Sequence, residues 1–281
     1  MTTGTRILAQ GLSFTEGPRW RDGRLYFSDF YTHRVLTVDL EGHLETLVEV
    51  PNQPSGLGWL PDGTLLIVSM LDRKVLRLEA DGSLTEHADL SGLATWHCND
   101  MVVATDGTAW VGNFGSDIDN GNQPIPANLI KVTPEGSVSL AAADMHFPNG
   151  TVITPDGSTL IIGETFARRL TAFDIDSEGN LSGRRLWADC GAHLPDGICL
   201  DAEGAVWIAD PAGNCVVRFK EGGEILDKIE LDQGAFACML GGPERKTLFI
   251  CTAAASDEGA ENTRTARIEA IEVSVPGAGL P

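Results

Sequence analysis

Polar side chains recur at one position of a repeating pattern in this chain of 281 residues. The position lies six or seven residues before an acidic turn residue, and in chain order it holds Glu16, Ser55, Asn99, Asn149, Asp196 and Ala237. Two carboxylates and two amides that converge would repel one another and be poorly hydrated unless a cation joined them. Oxygen donors suit Ca²⁺, Mg²⁺ or Mn²⁺ better than Zn²⁺, which prefers His and Cys. The pattern predicts one divalent cation, with Ca²⁺ as first choice and Mg²⁺, Mn²⁺, Zn²⁺ or Fe²⁺ as alternatives.

A repeat of short strands must position these side chains. Acid–glycine pairs between alternating apolar runs predict hairpin turns, because Gly accepts positive φ and the acid satisfies the turn backbone. Such pairs occur at 22–23, 41–42, 62–63, 81–82, 106–107, 135–136, 156–157, 178–179, 203–204 and 221–222. A second strand recurs as LYFSD, LLIVSM, AWVGN, LIIGE, VWIAD and LFICT. Four short strands per unit of roughly 40 to 50 residues are typical of a propeller blade. The sequence therefore predicts an all-β, six-bladed β-propeller as a single domain over residues 1–281.

The two ends of the chain are predicted to close the ring. The sixth unit ends at RIEAIEVSV without a fourth strand, and the N-terminal stretch RILAQGL has no blade of its own. An unpaired edge would otherwise be exposed, so we expect RILAQGL to complete the last blade. The first strand of each blade lines the central channel of a propeller, which would bring the six recurring positions together at the axis.

Charge and composition exclude several classes of partner. The chain has 40 acidic and 20 basic side chains, a net charge of −20 and a pI near 4.5. Such a chain is repelled by nucleic acid and by anionic lipid. No apolar run approaches the roughly 18 residues of a membrane span, and MTTGTRILAQ lacks the apolar core of a secretory signal. We expect a cytoplasmic protein, monomeric or a small homo-oligomer, without nucleic-acid or membrane partners. The six cysteines lack metal-site spacing and are expected to be reduced core residues.

Other residues near the recurring positions are candidates for contact with a substrate. His97, His146 and His193 each lie two or three residues before one of them, and His97 is the preferred candidate of the three. Asp100 directly follows Asn99 and could carry a proton or hold a turn. Five side chains could form apolar walls or pack in the core: Tyr31, His33, Phe114, Phe147 and Phe166. Two long connections, 112–128 and 252–264, could cover the site or be surface elaborations.

A set of motifs in order resembles the SMP-30/gluconolactonase/regucalcin-like family, whose members are six-bladed propellers that hydrolyse lactones with one divalent metal. The motifs are Glu16-Gly-Pro-Arg-Trp20, Asn99-Asp100, Asn149-Gly150, Pro195-Asp196-Gly197 and the run from Val206 to Phe219. The resemblance implies that Glu16, Asn149 and Asp196 are metal ligands and that Asp196 doubles as general base. It also implies that Asn99 contacts the substrate or a water on the metal, with His97 and Asp100 beside it.

Two departures from animal members of that family leave the substrate open. Those members carry an Arg at the position of His97, and a Glu in the loop where this chain has the stretch 120–126 without a carboxylate. The resemblance therefore implies a small lactone, of the sugar or the non-sugar kind. Two alternatives share the fold: a phosphotriesterase-like hydrolase on the same metal, and a binding module whose cation is only structural. The chain has no GxSxG, P-loop or GxGxxG motif, so serine-esterase and nucleotide-binding functions have no support.

Overall fold

Six antiparallel sheets of four strands form the blades of a propeller. The computed structural model describes residues 4–117, 120–254, 256 and 259–280. The first strand of the chain is β1 (Arg6–Leu12). Blades 1 to 3 follow, as β2 (Thr15–Arg21), β3 (Arg24–Asp29), β4 (Arg34–Val38), β5 (Leu44–Glu49); β6 (Pro54–Trp59), β7 (Leu65–Ser69), β8 (Lys74–Leu78), β9 (Leu84–Asp89); and β10 (Cys98–Val103), β11 (Ala109–Asn113), β12 (Ala127–Val132), β13 (Val138–Met145).

Blades 4 to 6 repeat the arrangement, and the last one includes the N-terminal strand. Their strands are β14 (Pro148–Ile153), β15 (Thr159–Glu164), β16 (Arg169–Ile175), β17 (Leu181–Asp189); β18 (Ile198–Leu200), β19 (Val206–Asp210), β20 (Cys215–Phe219), β21 (Ile225–Glu230); and β22 (Gly234–Gly241), β23 (Thr247–Ala253), β24 (Ala266–Glu272) with β1. Strand β1 pairs with β24, Arg6 opposite Ala270 and Leu12 opposite Ala266. The six-bladed fold and the closure of the last blade by the N-terminal strand are confirmed.

The first strands of the blades form a closed inner ring. Strand β2 contacts β6 and β22, and the contacts continue from β6 to β10, β14, β18 and back to β22. Apolar side chains between neighbouring blades form the core, and its largest fully buried members include Trp110, Trp207, Phe27 and Phe249. All six cysteines are free and buried, as predicted. Every acid–glycine pair named above has its glycine at positive φ; at Asp62, for example, Oδ1 accepts the amide of Thr64 at 2.9 Å.

The segment 276–280 crosses the ends of the inner strands on one side of the ring, which the sequence did not predict. Ile153 and Leu280 exchange both backbone hydrogen bonds, at 2.7 and 3.0 Å, and Ala278 donates to Leu200 at 2.9 Å. Gly279 has φ +70, and a Cβ there would lie 2.3 Å from the carbonyl oxygen of Ile153. The segment therefore lies tightly against the ends of β14 and β18.

The described helices are short. There are two 3-10 turns, Phe30–Thr32 and Thr165–Ala167, each directly after the second strand of a blade, and one α-helix, α1 (Ala260–Thr263). None of the helices within the described ranges has the length and apolar character to cross a membrane.

Candidate metal centre

The three predicted metal ligands lie at the start of inner strands, at the same end of the ring. The ladder between first and second strands breaks register just beyond Glu16 and around Asn149, so each of these side chains leaves the regular pleat. Asp196 precedes β18; its amide donates to the carbonyl of Ala209 at 3.0 Å, and Ala209 donates back to Gly197 at 3.0 Å. The repeat therefore places the three residues equivalently in blades 1, 4 and 5.

Neighbouring inner strands nearly touch at this level. A Cβ on Gly150 would lie 2.6 Å from the carbonyl oxygen of Asp196, and one on Gly197 would lie 2.5 Å from the Cβ of Ala237. On the other side, a Cβ on Gly17 would lie 2.7 Å from the carbonyl oxygen of Ser55. Only glycine fits such contacts, which explains why a glycine follows the axis residue in these blades. The contacts bring the backbones of neighbouring inner strands close together at the level of the axis residues.

Three buried carboxylates interact electrostatically. Glu16 is 6% exposed, Asp100 6% and Asp196 7%. Burial, followed by the charges of Asp196 and Asp100, raises the pKa of Glu16 well above 4.5. Burial and the charge of Asp100 likewise raise the pKa of Asp196 well above 3.8, against a lowering by the side chain of Asn149. Buried carboxyl groups whose pKa values are raised by neighbouring carboxylates form a site that favours a positive charge.

The side-chain amide of Asn149 also offers an oxygen to a cation. Its Nδ2 donates to Thr165 Oγ1 at 3.3 Å, while its buried Oδ1 has no hydrogen-bond partner among the described residues. A buried oxygen without a partner is costly unless a ligand satisfies it. With two carboxylates and one amide oxygen, the donor set has the composition that a hard divalent cation prefers. The residues present therefore fit a metal of this kind.

Arg19 is part of the site, although the sequence did not single it out. It is 4% exposed, and its Nη2 contacts Asp100 Oδ1 at 2.8 Å and the carbonyl of Met101 at 2.5 Å. Its Nε donates to the carbonyl of Leu57 at 3.0 Å, so one guanidinium joins blades 1, 2 and 3. Asp100 Oδ1 also accepts the amide of Met101 at 2.8 Å. The sequence feature that could have identified Arg19 is that a charged residue lies within a strand predicted to line the channel.

Asn99 and the histidines have different surroundings. Asn99 is buried, and its Oδ1 accepts a hydrogen bond from Ser55 Oγ at 3.5 Å. His97 is half-buried and stacks on Trp96, with ring centroids 4.6 Å apart. His146 is exposed. The imidazole Nδ1 of His193 lies 2.6 Å from Asp210 Oδ2.

A second group of possible ligand atoms surrounds His193. The thiol of Cys215 lies 3.9 Å from both His193 Nδ1 and Asp210 Oδ2. Burial, followed by the charge of Asp210, raises the pKa of Cys215 to about 11, so the sulfur is a thiol at neutral pH. The short contact is thus the one between imidazole and carboxylate, which holds the loop before Asp196 to the end of β19.

The apolar candidates fall into two groups. Phe114, Phe147 and Phe166 contact one another in series, whereas His33 Nδ1 lies 2.7 Å from the carbonyl of Pro51 in the connection to blade 2. The Tyr31 hydroxyl donates to the carbonyl of Ser256 at 2.7 Å, so part of the connection 252–264 lies beside blade 1 at the end where Glu16 enters. Residues 118, 119, 255, 257 and 258 of the two long connections lie outside the described residues.

The sequence of this chain is similar to those of known proteins. A family model described as SMP-30/Gluconolactonase/LRE-like region matches residues 14–254. The pentonolactonase XacC of Haloferax volcanii is 27% identical over 99% of this chain and 97% of its own length. The 6-deoxy-6-sulfogluconolactonase of Pseudomonas putida is also 27% identical, over 98% of this chain and 96% of its own.

Solved structures show the same fold. A calcium-binding protein called regucalcin from Agrobacterium tumefaciens has a TM-score of 0.83 at 22% identity, covering 99% of this chain and 96% of that one. The gluconolactonase XC5397 of Xanthomonas campestris has a TM-score of 0.75 at 25% identity, covering 98% of this chain and 89% of that one.

Proposed function

This chain belongs to the SMP-30/gluconolactonase/LRE-like family, and we propose that it is a metal-dependent lactonase that opens a small lactone to its hydroxy acid. The observation that supports the proposal is that Glu16 and Asp196 are both buried and Asp196 raises the pKa of Glu16, while the side chain of Asn149 lowers the pKa of Asp196 and its own Oδ1 has no partner among the described residues. The names of the relatives support lactone hydrolysis. Glu16, Asn149 and Asp196 are the proposed ligands, and Ca²⁺ is the proposed cation.

The reaction needs an electrophile, a base and a proton for the leaving oxygen. A divalent cation, when bound, would polarise the lactone carbonyl and make the attacking water more acidic. Asp196 takes a proton from that water as its oxygen bonds to the acyl carbon. The bond between acyl carbon and ring oxygen then breaks, and Asp196 returns the proton to the ring oxygen. One water is consumed, and the product is the open hydroxy acid.

Asp196 suits the role of proton carrier better than Asp100. The Oδ1 of Asp100 already accepts hydrogen bonds from Arg19 and from the Met101 amide. The proposed part of Asp100 is to lie beside the substrate and to hold the bulge that presents Asn99. Because Ser55 engages Asn99 Oδ1, the Nδ2 of Asn99 is the atom that would donate to the substrate. His97 forms the neighbouring part of the substrate pocket in this proposal.

A metal-resolved activity screen tests the function. Protein stripped with a chelator is supplied in turn with Ca²⁺, Mg²⁺, Mn²⁺ or Zn²⁺ and assayed on glucono-δ-lactone, δ-valerolactone, dihydrocoumarin and paraoxon. We expect lactone turnover that depends on a divalent cation. Absence of any lactone turnover by folded protein would refute the lactonase, and preference for paraoxon would favour the phosphotriesterase-like alternative.

Substitution of the proposed base tests the site. We expect Asp196→Asn to lower kcat by about 10²- to 10⁴-fold, the usual contribution of a positioned acid or base. Asp201→Asn is the matched control, because Asp201 is a buried carboxylate in the same blade that instead pairs with Arg218 at 2.6 Å. The control should keep its activity per folded molecule. Undiminished activity of Asp196→Asn, with the control behaving as expected, would show that the proposed base is wrong.

A further inference from the structure

Five ring-bearing side chains follow one another around the channel mouth on the side of blades 3 and 4. We call them the aromatic wall: Trp96, His97, Phe114, Phe147 and Phe166. Ring centroids are 4.6 Å apart for Trp96 and His97, 6.3 Å for His97 and Phe114, 4.9 Å for Phe114 and Phe147, and 4.8 Å for Phe147 and Phe166. Such distances are those of rings in direct contact, so the wall is one continuous surface.

The wall lies at the end of the propeller where the proposed ligands enter. His97 and Phe147 each stand two residues before an axis residue, Asn99 and Asn149 respectively. Phe114 and Phe166 directly follow, or nearly follow, the second strands β11 and β15. Because first and second strands are antiparallel, the start of one and the end of the other lie at the same edge of the blade. A molecule bound at Asn99 and Asn149 would therefore meet these rings.

The backbone at Phe147 is held in an unfavourable conformation. Its φ is +60°, in the left-handed region where a bulky side chain is rare and glycine or asparagine is preferred. Its carbonyl accepts the amide of Thr165 at 3.2 Å, and its ring contacts both Phe114 and Phe166. Strained residues of this kind concentrate at functional sites. The backbone thus holds the phenyl ring of Phe147 between its two aromatic neighbours.

Exposure is highest at one end of the wall. Phe114 is half-buried, Phe147 is 8% exposed, and Phe166 at the end is 42% exposed. Within the described ranges Phe166 is the only aromatic among the large exposed apolar residues. An exposed apolar surface that continues into a polar site is typical of a ligand pocket, where apolar walls provide area and a few polar groups provide orientation.

We propose that the aromatic wall binds an apolar ring of the substrate, so that the preferred lactone carries an aromatic or aliphatic ring rather than several hydroxyl groups; this rests on the lactonase function proposed above. Hydroxyl groups placed against phenyl faces lose hydrogen bonds to water without replacement. An apolar ring loses none and gains stacking and burial. The reacting ester would then lie toward Asn99 and Asp196, with the ring toward Phe147 and Phe166.

Kinetics on three lactones test the proposal. With a saturating divalent cation, kcat/KM should be at least tenfold higher for the aryl-fused dihydrocoumarin than for glucono-δ-lactone. Phe166→Ala should lower the ratio of kcat/KM for dihydrocoumarin to that for δ-valerolactone about tenfold, mainly through KM. Leu186→Ala is the matched control, because Leu186 is an exposed apolar residue on the outer strand β17, and it should leave the ratio unchanged. Phe147→Gly serves as a second wall variant, since glycine keeps the left-handed backbone.

Binding without turnover separates the wall from the metal chemistry. Chroman has the fused ring of dihydrocoumarin but no carbonyl, and its binding to metal-free protein can be followed by ligand-observed NMR. We expect binding to the wild type and to Leu186→Ala, and at least tenfold weaker binding to Phe166→Ala. Preference for glucono-δ-lactone, equal losses on all lactones, or no chroman binding would overturn the wall while leaving the lactonase intact. Chroman binding without any lactone turnover would support the wall and refute the lactonase.

Discussion

At the scale of single residues, Arg19 determines how many of the buried carboxylates at the axis lack a compensating positive charge. Glu16, Asp100 and Asp196 are all buried; the charges of Asp196 and Asp100 raise the pKa of Glu16, and the charge of Asp100 raises the pKa of Asp196. Arg19 pairs with Asp100 at 2.8 Å and partly opposes the rise in the pKa of Glu16. It thereby compensates one of three carboxylates. The remaining two, with Asn149, match the charge of one divalent cation.

Removal of Arg19 should therefore destabilise the protein. Arg19→Met leaves the Asp100 carboxylate buried and unpaired, which we expect to cost about 3–5 kcal/mol in the free energy of unfolding. Urea denaturation at pH 7 measures the loss. The double variant with Asp100→Asn should recover about 1–3 kcal/mol of it, since the uncompensated charge is gone. Additive losses would show that the ion pair is not what stabilises this position.

The position of the axis residues could be predicted from the sequence, but the contacts of Arg19 could not. Glu16, Asn149 and Asp196 occupy the same position in the repeat, and in a propeller such equivalent positions lie at equivalent places around the axis. The guanidinium of Arg19 reaches carbonyl groups of Leu57 and Met101 in two other blades. Such contacts depend on the direction and length of one side chain, which the spacing of the repeat does not record.

At the scale of elements, the second strand of each blade ends near a buried polar residue. These residues are Asp29, Ser69, Asn113, Glu164, Asp210 and Thr252. In five of the six blades this residue contacts the loop that enters the first strand, whereas Ser69 of blade 2 donates to Asp72. Asp29 Oδ1 accepts the amides of Ser13 and Phe14 at 2.9 and 3.0 Å, and Glu164 Oε2 accepts the amide of His146 at 2.8 Å. The loops that lead to these axis residues are thus hydrogen-bonded to the end of the second strand of their own blade.

The signal for these polar residues is present in the repeated second strand. LYFSD, AWVGN, LIIGE and VWIAD each end in a side chain that can accept backbone hydrogen bonds. Periodicity predicted the strand itself but gave no partner for its last residue. The sequence also could not decide whether Phe114, Phe147 and Phe166 line a pocket or pack in the core, because a ring can serve either role until its neighbours are known.

Glu164→Gln tests this support in blade 4. Burial alone would raise the pKa of Glu164, but hydrogen bonds from Arg169, Thr171 and the His146 amide outweigh it and lower the pKa below 4.5. We expect the substitution to cost about 1–3 kcal/mol at pH 7, as for loss of buried charged hydrogen bonds. Because the folded-state pKa is lowered, this stabilisation is present above pH 4.5 and is lost as the pH falls through the folded-state value.

The measurement is the stability difference between wild type and Glu164→Gln across pH. Chemical denaturation from pH 7 down to pH 3 should show the difference shrinking below pH 4.5. Glu178→Gln, in the exposed turn of the same blade, should stay within about 0.5 kcal/mol of wild type throughout. A constant difference for Glu164→Gln would show that the charge of Glu164 contributes nothing.

At the scale of the whole molecule, the closed ring places most charge outside and a small uncompensated set inside. The chain carries a net charge of −20. Most acids lie in turns and on outer strands, where water solvates them, whereas Glu16 and Asp196 are fixed at the axis. The inner strands cannot spread to relieve them, because each is packed against two neighbours. The ring thus holds the two carboxylates together even though they repel each other.

That conflict gives the metal-free protein an unusual pH dependence. The folded-state pKa of Glu16 is raised above 4.5, so the fold binds this proton more tightly than the unfolded chain does. As the pH rises above 4.5 toward the folded-state pKa, the metal-free protein must therefore lose stability through this group. Glu16→Gln removes the charge and the penalty. Without metal, the variant should be more stable than the wild type at pH 8, and the two should converge toward pH 4.5.

Calcium should reverse that order. A cation that binds only the folded state at one hundred times its Kd stabilises the wild type by about 2.7 kcal/mol, and Glu16→Gln loses one ligand and most of this gain. Urea denaturation at pH 4.5, 6 and 8, with a chelator or with excess CaCl₂, gives both curves. Glu221→Gln, at an exposed carboxylate in the turn after β20, is the control and should follow the wild type. If the wild type were the more stable protein at pH 8 without metal, the Glu16 carboxylate would already be compensated by the protein, and the axis would have no electrostatic need of a cation.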